Sequence, residues 1–487
     1  MIEILPTRMI INYSNLDYSK IEKIKRSLSV WDKSRFRYSY QAFIEDEDEE
    51  LICIPSCYDL LYIKSLFPDE EIIDNRGRFV SIGCKNKPIN LKYQPRNELQ
   101  KQAINFLKGN RFSRNTSQKL LSLNTGDGKT YCTVNYISQT LKRPIIFVDQ
   151  EILAEQWINR IKEYTDTKDE EIFYISGKPS INKLLKKTKD EILNIKFFIC
   201  IHRTIDNYIN EDVEKFFDFF DHILVNTKIY DEAHVEYRSI WLIDSNSDCE
   251  SIYLTATFSR SDPIENKVFQ NMYHDIKRFT SNSLRDNSIS NYHNIVVSRI
   301  NSKPTQEDEA DCINKYGFNS NSYFSYILNK KYDLYFEKIT NILFDNILNK
   351  RNRKVAILLG INDAVDKFYD DIKIEISNRN LNFTVGKLNG LTKNKDEEMT
   401  KDIIITTDKS FSKAIDIANL SVLINLVPFS SSTKVIQTIG RLRRLDDDKV
   451  FYIDVSDIGF KNIQQQLNIR IRTYKKKAEK LYKLDLL

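Results

Sequence analysis

"LLSLNTGDGKTYC", Leu120 to Cys132, sets two glycines, a lysine and a threonine directly behind an apolar run, in a chain with only 12 glycines among 487 residues. Gly126 and Gly128 open φ values closed to other residues, so the backbone there can wrap an anion with its N–H groups turned inward. Across Thr125, Gly126, Asp127, Gly128, Lys129 and Thr130, the lysine charge suits the β- and γ-phosphates of ATP and the Thr130 hydroxyl suits Mg2+. A helix starting at this point turns its positive end to the same anion. The longer G-x-x-x-x-G-K-[ST] pattern is incomplete, because Leu123 stands where its first glycine belongs. Taken alone, the stretch serves equally well as a plain strand-to-helix turn.

Outward from this turn the chain alternates between short apolar runs and helical stretches. "KLLSLN", "RPIIFVD", "IKFFICI", "HILVNTKIYDEAH" and "SIYLTAT" read as buried strands, and the rhythm resumes later in "KVAILLG", "FTVGKLN", "KDIIITT", "SVLINLV" and "VFYIDV". Such alternation predicts parallel sheets covered by helices, an α/β architecture. Two such domains are expected, over 91–262 and 326–487, with the polar, Asn- and Ser-rich stretch 263–325 as a connector. Residues 1–90 read as a small α+β module, with helical spacing in "YSKIEKIKRSLSVW" and "YDLLYIKSLF" and strands in "RFRYSYQAFI" and "ELICIPS".

A second signal stands about a hundred residues beyond the glycine turn. Asp231, Glu232, Ala233 and His234 close an apolar strand, and carboxylates at the carboxyl edge of a parallel sheet stand where such folds bind ligands. Asp231 suits a metal held through water, and Glu232 suits a group that orients or deprotonates an attacking water. A helix N-cap explains either carboxylate singly, but not the tetrad in this position.

These elements, in this order, resemble superfamily 2 helicases and translocases. "TGDGKT" looks like motif I, "DEAH" motif II, "TAT" (Thr255, Ala256, Thr257) the coupling motif III, and "QTIGRLRR" motif VI. The resemblance covers about 91–450 and implies tandem RecA-like domains preceded by the small N-terminal domain. It implies a nucleic-acid-stimulated ATPase in which Gln437 lies at the nucleotide and Arg441 and Arg444 reach the γ-phosphate, where a guanidinium fork stabilises transferring charge. It further implies that Gln100, in "LQKQAINFL", reads an adenine edge, that Thr204, in "IHRTIDNY", contacts DNA, and that Asp416, in "FSKAIDIANL", is the acidic position of motif V. Ala414 there replaces a glycine common in the family. "VDQEILAEQW" resembles motif Ia.

Within the superfamily the spacing of the last motifs and the leading "SVWDKSRFRYSYQAFI" resemble phage UvsW-type helicases, which act on branched DNA. That likeness implies DNA contacts from Lys33, Arg35 and Arg37. Trp31 and Tyr38 either touch DNA or fill the module's core, and the need of small domains for large apolar side chains favours the core. The expected activity is an ATP- and Mg2+-dependent DNA helicase or translocase working as a monomer on forks, four-way junctions or R-loops. An RNA-directed DEAH-type ATPase, a duplex translocase that does not separate strands, and a scaffold with a relic motor are the rival readings.

Composition is compatible with all of these. The net charge of +5, from 73 basic and 68 acidic residues, makes any anionic partner the business of local patches such as Lys20–Arg37 and Arg470–Lys483. Each patch alone reads equally as a solvated face. Seven scattered cysteines point to reduced thiols, with Cys53 and Cys57 packed in the small module and no zinc set formed. No secretory leader or spanning apolar run is read, so a cytoplasmic location without membrane contact is expected, in the host cytoplasm for a phage protein.

Overall fold

The computed structural model describes residues 1–32, 36–76, 85–109, 117–123, 126–256, 258–260, 262–281, 293–315, 317–348, 353–412, 417–442 and 449–485. The chain divides into two compact units, 1–285 and 286–487.

The first unit opens with a five-stranded sheet in the order β5-β6-β2-β1-β7, built from β1 (Ile2–Ile4), β2 (Arg8–Asn12), β5 (Ile44–Asp46), β6 (Leu51–Pro55) and β7 (Ile72–Asp74). Alternation in "RMIIN" turns Met9 and Ile11 inward. Asp17 caps the helix Tyr18–Ser27, whose Ile21 and Ile24, one turn apart, are buried. A separate antiparallel hairpin joins β3 (Ser29–Asp32) to β4 (Arg37–Gln41).

A seven-stranded, wholly parallel sheet follows, ordered β10-β11-β9-β12-β13-β8-β14: β8 (Gln118–Ser122), β9 (Pro144–Val148), β10 (Ile172–Ile175), β11 (Phe197–Ile201), β12 (Thr227–Tyr230), β13 (Glu250–Thr255) and β14 (Lys277–Thr280). Its strands are apolar without alternation because both faces are covered. Ile146, Val148, Ile199, Ile229 and Leu254 face one core. Phe147, Phe198, Tyr230 and Tyr253 face the other, which runs without interruption into Ile2, Ile11, Ile21 and Ile54 of the leading module. The small module and the first parallel-sheet domain therefore share one core.

The second unit carries another parallel sheet of seven strands, β19-β20-β18-β21-β22-β15-β23: β15 (His293–Ile300), β18 (Lys354–Leu359), β19 (Val385–Leu388), β20 (Ile403–Thr407), β21 (Leu420–Asn425), β22 (Val450–Asp457) and β23 (Ala478–Asp485). The short pair β16 (Ile313–Asn314) and β17 (Gly317–Phe318) stands apart. Tandem RecA-like domains behind a small α+β domain are thus the architecture.

Several expectations are corrected. Within 263–325, read as a connector, β14 completes the edge of the first sheet and β15 lies between β22 and β23 in the second. The run "HILV" is not strand. It ends the helix Val213–Ile223, whose Phe216, Phe219 and Ile223 bury at helical spacing, and the strand begins only at Thr227. Helical spacing in "YSKIEKIKRSLSVW" stops at Ser27, and β3 begins at Ser29. Trp31 and Tyr38 are not core residues; they are 40% and 44% exposed, since the module's core is filled by aliphatic side chains and by Tyr13, Tyr58 and Phe67.

The basic stretches are partly consumed internally. Lys25 pairs with Glu22 and Glu45, both at 2.8 Å, and Lys20 donates to the carbonyl of Leu66. Arg470 is buried, with its guanidinium on Asp454 at 2.8 Å, an internal counter-ion and not a surface cation. No helix among the described residues is long and apolar enough to cross a membrane.

Candidate functional site

Because every strand of the first sheet runs the same way, the carboxyl ends of β8, β13 and β12, three neighbours, lie along one edge. The glycine turn follows β8, Thr255 ends β13, and Asp231 follows β12. The three motif segments of the first domain are therefore brought together by sheet register.

Gly126 and Gly128 have φ of 89° and 94°, the left-handed backbone that glycine alone adopts freely, and the helix Lys129–Thr140 starts directly behind them. Lys129 and Thr130 thus occupy its first turn, where backbone N–H groups are free of helical partners. Gln100, itself buried, braces this loop. Its Nε2 donates to the carbonyl of Asp127 at 3.0 Å and its Oε1 accepts from the Arg96 amide, also at 3.0 Å. Arg96 donates to the Gly126 carbonyl, and Ser281 Oγ donates to the Asp127 carboxylate at 3.0 Å. The resemblance expects Gln100 to read an adenine edge; the structure spends its amide on the backbone around the loop.

Asp231 is fixed from two sides: the Trp157 indole donates to Oδ2 at 2.8 Å, and the Glu232 amide donates to Oδ1 at 3.0 Å. Burial first, and then the neighbouring Glu232, push its carboxyl above the ordinary range, while the Lys129 ammonium opposes the rise. Glu232 has φ of 45°, a costly backbone for a residue with a side chain, and its Oε2 is buried without a hydrogen bond, 3.4 Å from His234 Nδ1. His234 meets Thr255 Oγ1 at 2.9 Å, so the DEAH tetrad is tied to the strand carrying "TAT". Burial, helped by Arg260 and Lys129, holds the His234 imidazole down at about 4, so it is neutral near pH 7. Arg260 donates to the carbonyls of His234 and Val235 and pairs with Glu265 at 2.8 Å.

Mg2+ with ATP fits this donor set. Two adjoining carboxylates, one raised by burial and the other holding a buried oxygen without a hydrogen bond, face the same edge as an ammonium and a left-handed glycine loop.

The remaining predicted residues lie apart or outside the description. Thr204 Oγ1 accepts from the Gly177 amide at 2.9 Å and helps line an open cavity of about 310 Å3 with Lys178, Arg203 and Asn207. Arg37 is exposed on β4. In the second unit Gln437, half-buried, stands on the helix Ser432–Ile439, and the Arg441 guanidinium lies over the Phe411 ring at 5.5 Å. Lys33, Arg35, Thr125, Thr257, Asp416 and Arg444 lie outside the described residues. Sequence reading missed Arg96, Trp157, Arg260 and Ser281. Trp157 alone left a signal, a large aromatic on a helix directly behind a buried strand.

The fold is that of tandem RecA-like domains, with the glycine loop and the DEAH turn on one edge of the first sheet. Residues 92–260 match the family described as "Type III restriction enzyme, res subunit". No curated protein matches the chain by sequence. Among solved structures the chain resembles Dbp5 of S. cerevisiae bound to RNA and ADP BeF3, with a TM-score of 0.51, 15% identity, and coverage of 81% of this chain and 91% of that one. The helicase domain of Pyrococcus furiosus Hef aligns at TM-score 0.48 and 13% identity over 76% of this chain and 97% of that one. T4 UvsW aligns at TM-score 0.37 and 15% identity over 100% of both. Residues 92–260 are thus similar to that family's domain, and the chain shares the two-domain fold of Dbp5.

Proposed function

We propose that the protein is a DNA helicase or translocase that remodels branched DNA, in the manner of the phage UvsW-type helicases its sequence resembles. The observation that carries this reading is the continuous core joining the leading module to the motor sheet. A module with exposed Arg37 and, in sequence, Lys33 and Arg35 is thereby held rigidly to the motor. Such a fixed second contact suits a substrate with more than one arm, and phosphate contacts would make binding follow DNA structure more than sequence.

In this reading the backbone from Gly126 to Thr130 and the Lys129 ammonium hold the phosphates. Thr130 and Asp231 hold Mg2+, which when bound with ATP supplies charge neutralisation and the transferable phosphoryl group. Glu232 orients the attacking water and accepts its proton, helped by an oxygen that makes no hydrogen bond within the protein. The His234–Thr255 contact links this centre to motif III. Gln437, Arg441 and Arg444 serve hydrolysis, and Thr204 contacts the strand.

The test is ATP turnover with no nucleic acid, single-stranded DNA, duplex, forked DNA, a four-way junction and matched RNA, with Lys129→Ala as the blank. Strongest stimulation by branched DNA, lost in the variant, is expected. Stimulation by RNA alone would overturn the DNA assignment.

A further inference from the structure

The β3–β4 hairpin stands outside the five-stranded sheet, and its two ends are built differently. At its base Val30 is buried, the Ala42 amide donates to Leu28, and Asn271 of the motor domain donates to the Ser27 carbonyl at 2.8 Å. Tyr40 meets Tyr237 edge to face at 5.2 Å and lies beneath the Arg238 guanidinium at 5.0 Å. Toward the tip the pattern reverses. The ladder shifts between Val30 and Trp31, so that Trp31 pairs with Tyr38 and Ser39 is left over, a bulge that re-aims the side chains beyond it. Trp31 and Tyr38 then meet edge-on at 5.0 Å while staying 40% and 44% exposed, and Phe36, with φ of 50°, is 83% exposed.

Large aromatic side chains are costly to leave in water, and elsewhere this chain hides its tryptophans: Trp157 and Trp241 are 2% and 5% exposed. Three open aromatics within eight residues, with exposed Arg37 among them, form a surface with π-faces and a cation side by side. Nucleobases attached to phosphates match both features. Tracking a long single strand needs a row of such faces, whereas this tip offers few, and the edge-on packing of Trp31 on Tyr38 closes the gap between those two rings. One or two bases at a discontinuity fit it better than a continuous strand.

We propose that Phe36, Trp31 and Tyr38, with Arg37, form a stacking site for the terminal or unpaired bases at a single-to-double-strand junction. The proposal rests on the branched-DNA reading above and adds to it the part that recognises the junction. The anchored base gives the site a fixed position relative to the motor. Tyr237, which packs on Tyr40, also carries Arg260 over its ring at 4.5 Å, and Arg260 holds the carbonyls of His234 and Val235. The base of the hairpin is thus anchored through residues that also hold the DEAH turn.

The experiment uses the full chain and a fork carrying 2-aminopurine at the first paired position. A second fork carries the label deep in the duplex, and a single strand of equal length completes the set. Wild type should change the fluorescence of the junction label and leave the deep label unmoved. The Trp31→Ala/Phe36→Ala variant should abolish that change and bind the fork roughly tenfold more weakly, the loss expected for one stacked base. Its melting temperature and its turnover on single-stranded DNA should match wild type, and Phe36→Trp should keep the junction signal. Wild-type fork affinity and signal in the double variant would overturn the proposal and leave the patch to another occupant. An equal fall on the single strand, or a lowered melting temperature, would overturn it in favour of a general or structural role. If no DNA stimulates wild-type turnover, the motor reading itself fails, and the site with it.

Discussion

The side-chain amide of Gln100 bridges the glycine loop to the segment before it, donating to the Asp127 carbonyl at 3.0 Å while accepting from the Arg96 amide. Gly128 lies against this bridge so closely that a Cβ there would come within 2.3 Å of Gln100 Nε2. Its φ of 94° is strained for any other residue, at a cost of roughly 1–2 kcal/mol. Gly128→Ala is therefore expected to abolish ATP binding, measured by fluorescent-nucleotide titration, and to lower stability. Adding Gln100→Ala should return part of the stability by removing the collision, while nucleotide binding stays lost because the backbone conflict remains.

Glu232 combines a left-handed backbone with a buried oxygen that makes no hydrogen bond within the protein. Glu232→Gln keeps the shape and removes the base. ATP binding should persist and DNA affinity in ATP should rise, while turnover falls by about 10²–10⁴-fold, the span typical of a lost general base. Arg444→Ala is expected to leave ATP binding intact and slow hydrolysis. Normal turnover in either variant would remove that residue from the site.

How much of this was legible in the sequence depended on whether local pattern or distant packing set the outcome. The glycine turn and DEAH tetrad were readable because each follows a buried parallel strand, and their neighbourhood then followed from sheet order. The brace on the loop was not readable. Arg96 and Ser281 reach it from segments about thirty and over a hundred and fifty residues away, and no periodicity marks a side chain that donates to so distant a loop. The run "HILV" reads as strand in sequence because an amphipathic helix and a buried strand share aliphatic runs of this kind. Trp31 and Tyr38 were misjudged because size argues for burial only when the core still has room.

The docking of the leading module rests on Thr7 and Arg8. Thr7 Oγ1 donates to the carbonyls of Asp244 and Ser247, and Arg8 donates to the Ser245 carbonyl and pairs with Asp248 at 2.7 Å. Asp248, whose carboxyl burial pushes up, loses its charged partner when Arg8 is removed. Arg8→Ala should cost about 2 kcal/mol in urea unfolding. Asp248→Asn in the same chain should add little, because the pair counts once in a double-mutant cycle. Additive losses would mean that the two groups act independently.

His202 supplies the pH dependence. Its ring is stacked between strands against Phe147 and Tyr230, Nδ1 meets Ser239 Oγ at 2.9 Å, and Nε2 is buried without a partner. Burial lowers the imidazole from 6.5 to about 3 in the folded chain. The unfolded chain therefore takes up a proton below pH 6.5 that the folded chain refuses until far lower, and stability falls as pH drops through that window. Between pH 7 and pH 5 this one group removes roughly 2 kcal/mol. His202→Asn, which cannot titrate, should be less stable than wild type at pH 7 through lost stacking, yet its unfolding free energy should decline by about that much less on acidification. Parallel urea series at pH 7, 6 and 5 measure the difference. Identical pH slopes for the two proteins would mean that the imidazole is protonated in the folded state, and the buried, neutral His202 described here would then be wrong.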